Sequence, residues 1–195
     1  MRSDPQGFRL NFDHRLVEEV VLLAILGRAD EGRFRSVRDR IYDEPDLDAR
    51  DEAFQKLHAE WFVFLGLGDP VEVALEERPL LKTATRQCVV APARSKKEEG
   101  ADLFVSPPAE GRDEVERRSI GCRLKTESFL EPDALLVVLR HEFLHIFDML
   151  DPAFGYNPEL PQPEGGAMAK RLLQDRYRVL WGVTIDGRLL KEGRA

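Results

Sequence analysis

The chain has 195 residues, of which 43% are hydrophobic and 33% charged, and its formal net charge is −7 at pH 7. This length suits one sizeable domain, and the composition is ordinary for a globular protein. A negative net charge lacks the basic footprint of nucleic-acid binding, so we expect no nucleic-acid partner. The longest apolar stretch near the front, Val20 to Leu26, is far shorter than a membrane span, and no secretory signal precedes it. We therefore expect a cytoplasmic protein with no membrane partner.

The first 82 residues predict a helical part. Asp13 is a suitable N-cap for a helix from His14 to Leu26, which Gly27 closes. Apolar residues at helical spacing predict a second helix from about Glu31 to Tyr42 and a third from about Asp48 to Leu65.

The middle of the chain predicts three strands of a small sheet. The segments Thr85 to Ala91, Asp102 to Ser106 and Ser119 to Thr126 are short and contain β-branched residues with period-two stretches. The connections between them are rich in proline, glycine and charge, which is typical of loops. Cys88 and Cys122 lie inside strand-like runs, and in a reducing compartment we expect them to be buried thiols.

The last part of the chain predicts two helices. One begins at Pro132 and continues to about Leu150, where the residue before Pro152 ends it. The other runs from about Ala167 to Trp181, and the segment 182–190 is expected to add a strand. The fold class is therefore α+β in a single domain over 1–195. A helical part covers 1–82, and a small three- to four-stranded sheet with an active-site helix and a C-terminal helix covers 83–195.

The segment HEFLH at positions 141–145 carries the chemistry. His141 and His145 are four residues apart on a helix, so both imidazoles face the same side and converge on one ion. Neutral imidazole is a good zinc ligand, and catalytic zinc takes three protein ligands. Glu142 is placed beside the metal to act as general base on water. We expect one Zn²⁺ per chain; the competing interpretation is a pair of satisfied histidines in a helix core.

Strands followed by a long helix with HExxH resemble the zincin metallopeptidases, and the run HEFLHIFDMLD is similar to the motif of the Mlc titration factor peptidases, which are glutamate-ligated zincins. The resemblance implies a zincin-like fold. It also implies that an edge strand receives substrate backbone by strand addition. The candidates for that edge are Asp102 to Ser106 and Thr85 to Ala91.

The third metal ligand has four candidates. Glu164 follows His145 at a spacing similar to that of aminopeptidase N-type zincins and opens the string EGGA, and we favour it over the other three. Asp148 lies on the face of both histidines but is short, so we expect it to orient a ligand. Asp151 has metzincin spacing, although those enzymes use a glycine where this chain has Asp148. Asp175 lies on the last helix, and the alternative role of Glu164 is to stabilise a helix N-terminus.

Tyr156 and Tyr177 are the candidates for stabilising an oxyanion, and the competing interpretation is that each only packs. The predicted function is a zinc-dependent metallopeptidase that hydrolyses peptide bonds of a peptide or protein substrate. One alternative is a catalytically degenerate zincin that acts as a binding or regulatory protein. A structural metal site or a helical interaction module is a further alternative, although structural zinc usually takes four protein ligands.

Overall fold

The computed structural model describes residues 7–108, 110–111, 113–159, 161 and 164–195, and the backbone of residues 2–3. The described part is an α+β fold, which confirms the predicted class. Its strands and helices are, in chain order, β1 (Arg2–Ser3), β2 (Arg9–Phe12), α1 (His14–Ile25), α2 (Glu31–Ile41), α3 (Leu47–Phe64), α4 (Asp69–Glu76), α5 (Pro79–Ala84), β3 (Gln87–Pro92), β4 (Gly100–Val105), α6 (Glu114–Arg117), β5 (Arg118–Leu124), α7 (Pro132–Leu150) and α8 (Gly166–Lys191). Two short 3-10 turns lie at Lys96–Glu98 and Thr126–Leu130.

The five described strands form one mixed sheet in the order β1-β2-β3-β5-β4. The central pairs β2/β3 and β3/β5 are parallel, whereas β4 pairs with β5 in the antiparallel sense. Three of these strands match the predicted ones to within about two residues at each end. The prediction missed β1 and β2, so the sheet is larger than the expected three to four strands. Strand β2 also brings the first residues of the chain into the sheet beside β3.

The N-terminal half contains the three predicted helices and two more. Asp13 caps α1 as predicted, since its carboxylate accepts hydrogen bonds from the N–H groups of Arg15 and Leu16 at 2.9 and 3.3 Å. The short helices α4 and α5 were not predicted, and each starts with a proline at its first or second position, where a missing N–H costs nothing.

One main hydrophobic core joins the sheet to the helices. Alternate residues of β3 and β5 are buried, including Cys88, Val90, Ile120 and Cys122, because side chains alternate between the faces of a strand. The buried thiols are free, as expected. Burial raises the pKa of Cys88 to about 12, so this thiol stays protonated.

Helix α7 spans the range that the sequence predicts. Its residues Leu135, Leu139, Phe143, Ile146 and Leu150 are buried and recur every three or four positions, so they form one stripe against the main core. Burying side chains of this size stabilises the fold by about 1.5–3 kcal/mol each. This stripe fixes which way every other side chain of α7 points.

Helix α8 corrects the prediction for the end of the chain. The helix does not stop at Trp181 but continues to Lys191, so the expected strand at 182–190 is helical. Ile185 and Leu189 are buried there against Leu144 of α7, at helical spacing. This packing outweighs the low helix propensity of the two glycines and the β-branched residues in the segment. No helix of the described residues is both long and apolar enough to cross a bilayer.

Candidate metal centre

The two motif histidines lie on the side of α7 that faces away from the main core. With 3.6 residues per turn, His141 and His145 point about half a turn away from the buried stripe containing Leu139 and Phe143. Both imidazoles are only partly buried. They are therefore not part of the main core, which disfavours the interpretation of a satisfied core pair.

The imidazoles converge as a metal-binding pair requires. The Nε2 atoms of His141 and His145 are 3.2 Å apart. Two ligands of one tetrahedral zinc, with Zn–N bonds of about 2.0–2.1 Å, are separated by about 3.3 Å. Without an ion, the same separation suits a hydrogen bond between a protonated and an unprotonated ring nitrogen.

Asp186 orients the first histidine. Its Oδ1 atom lies 2.7 Å from Nδ1 of His141, and it projects from the part of α8 for which the sequence predicts a strand. A carboxylate only accepts hydrogen bonds, so neutral His141 carries its proton on Nδ1 and keeps the Nε2 lone pair free. A carboxylate on the outer nitrogen is the usual second partner of a zinc-binding histidine.

The second histidine is neutral at physiological pH. Burial, with a smaller contribution from neighbouring His141, lowers the pKa of His145 to about 4. A metal binds the neutral form of imidazole, so no proton has to leave this ring before it binds an ion near pH 7.

Glu142 is held by the edge strand of the sheet. Its Oε2 atom accepts a hydrogen bond from the backbone N–H of Ala101 on β4 at 3.1 Å. Gly100 beside it has φ +152°, and a Cβ there would lie 3.0 Å from the same oxygen. The carboxylate therefore has a defined position between α7 and β4, and glycine at position 100 leaves space for it.

Helix α8 passes over the histidine pair. The Trp181 ring meets the His145 ring edge-on, with centroids 4.6 Å apart. Gly182 follows, and a Cβ at that position would lie 3.8 and 4.0 Å from Cε1 and Nε2 of His141. Because glycine has no side chain, room for about one methyl-sized group is left between α8 and the His141 ring.

Two of the predicted carboxylates have other partners. Asp148 is 1% exposed and accepts hydrogen bonds from the Trp181 indole N–H at 2.7 Å and from both terminal nitrogens of Arg188. It joins α7 to α8. Asp151 ends α7, and its side chain accepts a hydrogen bond from the N–H of Ala153 at 2.9 Å.

The other predicted side chains are more exposed. Glu164 lies in the turn before α8 and Asp175 lies on α8, and both are exposed. Tyr156 stacks on Trp181 with ring centroids 5.5 Å apart, and Tyr177 meets the same ring at 6.3 Å. Within the described ranges, no three His, Cys, Asp or Glu side chains are grouped so as to hold one metal ion. The structure thus brings together His141 and His145, holds the neighbouring Glu142 against β4, and places none of the third-ligand candidates with the histidines.

The sequence interpretation missed Asp186, Trp181 and Gly182 as neighbours of the histidines. A signal for them existed: Trp181, Ile185 and Leu189 share one helix face if the helical period is continued beyond residue 181. Ala101 and Gly100 carry no such signal, because a backbone N–H and an absent side chain are visible only after folding.

The donor set fits zinc as two of its three protein ligands. Two imidazole Nε2 atoms at ligand separation and a carboxylate on the outer nitrogen of one ring agree with such an ion. Compared with known proteins, the chain matches no family model, no curated protein and no solved structure.

Proposed function

We propose that this protein is a zinc-dependent peptidase of the zincin type, in which His141 and His145 hold the metal and Glu142 is the general base. The observation that carries the proposal is the pair of Nε2 atoms 3.2 Å apart on α7, together with the carboxylate of Glu142, the residue after His141, bound to edge strand β4. When bound, the ion would supply Lewis-acid polarisation of a scissile carbonyl and would lower the pKa of water.

Glu142 moves the proton in this proposal. The N–H of Ala101 fixes Oε2, and this leaves Oε1 to accept a proton from attacking water and to return it to the leaving amine. A backbone donor on a sheet strand is rigid, so the carboxylate does not have to be ordered again in each cycle. Asp186 keeps His141 in the ligand tautomer while α8 lies over the pair.

The edge of β4 supplies a place for an extended peptide. The N–H of Ala101 points away from β5, because it binds Glu142. In an antiparallel pair the residues bonded to the neighbouring strand alternate with residues that are not, so the non-bonded positions of β4 are Ala101, Leu103 and Val105. The N–H and C=O groups of Leu103 and Val105 therefore face outward, and no described strand pairs with them. A guest strand bonded there would extend along the strand towards Glu142, which supports a peptide or protein substrate.

The third ligand in this proposal is Glu164, on its spacing after His145. It lies in the exposed turn before α8, so binding the ion requires that turn to approach the histidines. Asp148 and Asp151 are already bonded elsewhere, and we propose that Asp148 supports the site through α8. We also propose that the enzyme works in the cytoplasm, since free buried Cys88 and Cys122 suit a reducing compartment.

A catalytically degenerate zincin that binds a partner is the second candidate. The observation that favours it is that two, and not three, ligating side chains converge among the described residues. The two candidates differ in peptide cleavage: only an enzyme cleaves substrate, and it needs the carboxylate of Glu142 to do so.

The test is Glu142→Gln, which keeps the size of the side chain and removes its basicity. Loss of a general base lowers hydrolysis of a peptide library by about 10²–10⁴-fold. Zinc content is expected to stay the same, because Glu142 does not hold the ion in this proposal. The matched control is Glu131→Gln, at an exposed glutamate just before α7, which should cleave like the wild type. Equal cleavage by Glu142→Gln and wild type would refute the proposed role, and zinc binding without cleavage in the wild type would favour the binder.

A further inference from the structure

Helix α8 is attached through a small hydrophobic cluster of its own. Ile185 and Leu189 of α8 pack with Leu144 of α7, and these three buried residues form a cluster separate from the main core. The buried residues of the main core run from Phe8 to Leu150 and include none from α8 among the described residues. Phe147 of α7 packs against both clusters, but no described residue of α8 packs in the main core, so α8 is able to leave α7 without opening that core.

Polar contacts also attach α8 and the residue just after it, including Asp186 to His141 and Glu192 to Arg78, and one further contact uses a buried carboxylate. Asp148 binds the indole N–H of Trp181 at 2.7 Å and the guanidinium of Arg188 at 2.9 and 2.5 Å. Asp148 is 1% exposed, whereas the Arg188 side chain is 37% exposed. A carboxylate buried this deeply depends strongly on its cation, so Arg188 is the residue whose loss most weakens the contact.

The same helix lies directly on the proposed active site. Trp181 packs on the His145 ring, and a Cβ at Gly182 would come within 4.0 Å of Nε2 of His141. These are ordinary van der Waals distances, so α8 leaves room for about one methyl-sized group beside the His141 ring. A peptide backbone does not fit there, because neighbouring extended chains need about 4.7–4.9 Å between them, and their side chains need more.

We propose that α8 is a displaceable cover over the His141–His145 pair, which blocks substrate while Arg188 is bound to Asp148 and admits it when α8 lifts. This regulation rests on the proposed peptidase function. Glu164 lies two residues before α8, so a movement of α8 would also move Glu164 relative to the pair. Opening of the cover and completion of the ligand set would then be one movement.

The first test uses hydrogen exchange on the metal-free, full-length protein. In the wild type, the amides of residues 181–191 should exchange through an opening that leaves β3 and β5 protected. Arg188→Met should speed exchange in 181–191 at least tenfold and leave the strands unchanged. The control is Arg178→Met, at an exposed arginine of the same helix, which should exchange like the wild type. Simultaneous exchange of α8 and the sheet in the wild type would overturn the proposal, even if Arg188→Met fails to fold.

The second test compares zinc removal by a chelator and cleavage of a peptide library in the same variants. A cover predicts that Arg188→Met increases both rates several-fold while Arg178→Met changes neither. If Arg188→Met binds zinc but cleaves more slowly, the cover proposal is overturned and the peptidase proposal stands, because α8 would then contribute to the active site instead of blocking it. Failure of every variant to bind zinc would overturn the peptidase proposal, and the cover with it.

Discussion

Removal of the carboxylate of Asp186 should weaken zinc binding without disturbing the fold. Its Oδ1 lies 2.7 Å from Nδ1 of His141, at the charge-assisted end of the hydrogen-bond range. The change Asp186→Ala leaves His141 free to rotate and to move its proton to Nε2, the nitrogen that would bind the ion. Both effects oppose metal binding.

The size of this effect follows from the exposure of the aspartate. A hydrogen bond to a charged group contributes about 1.5–3 kcal/mol. The Asp186 side chain is 69% exposed, so solvent screening places its contribution at the lower end or slightly below it. About 1–1.5 kcal/mol corresponds to roughly a fivefold to tenfold increase in the Kd for zinc. Asp186→Asn keeps an acceptor oxygen but loses the charge, so its Kd should lie between those of the wild type and the alanine variant.

The assay is competition for Zn²⁺ against a chromophoric chelator at pH 7.5. Asp175→Ala is the matched control, because it removes another exposed aspartate of α8 and changes helix propensity by the same amount. It should bind zinc like the wild type. An equal loss in both variants would mean that the charge of α8 matters and the contact does not. No loss in Asp186→Ala would refute the orienting role.

Two further changes test the position of the general base Glu142 and the protonation state of the ligand His145. Gly100→Ala should lower peptide hydrolysis at unchanged zinc content, since its Cβ would lie 3.0 Å from the Oε2 atom of Glu142. The control is Gly27→Ala. Gly27 has φ +73° and no atom within 4 Å of a built Cβ, so this variant shares the backbone strain without that contact. Similar activity in the two glycine variants would contradict this role. In the metal-free protein the pKa of His145 is lowered from 6.5 to about 4, so the unfolded chain binds more protons and the free energy of unfolding falls as the pH drops from 6.5 to 4. His145 is half-buried, so after solvent screening the free energy of unfolding should fall by on the order of 1 kcal/mol, measured by urea unfolding at the two pH values. This fall should disappear in His145→Gln. An equal fall in the variant would exclude His145 as its source.

The sequence predicts α7 well because all of its signals are local. Pro132 starts the helix, Pro152 follows its end, and the buried stripe from Leu135 to Leu150 repeats at helical spacing. The placement of His141 and His145 on one face follows from that period alone. Convergence of their nitrogens was therefore predictable without knowledge of any other element.

The end of α8 could not be predicted in the same way. Residues 182–190 contain Gly182, Gly187, Val183, Thr184 and Ile185, which disfavour a helix on propensity. What makes the segment helical is tertiary: burial against Leu144 and the ion pair with Asp148. Because a strand was predicted for this helical segment, the sequence did not place Asp186 beside His141.

Strand β2 illustrates a second limit. It has only four residues, and its residues Arg9, Leu10, Asn11 and Phe12 have no strong strand signal alone. Its parallel partner β3 lies about 75 residues further on, and such pairing depends on the helices packed between them. The contact between Ala101 and Glu142 is likewise a product of the fold.

The most direct test of the metal centre is a zinc titration of the purified metal-free chain, compared with the double variant His141→Ala, His145→Ala. Two convergent imidazoles predict one Zn²⁺ per wild-type chain and loss of that binding in the double variant. A wild type that takes up no zinc, or a double variant that binds it equally well, would contradict the assignment of His141 and His145 as metal ligands.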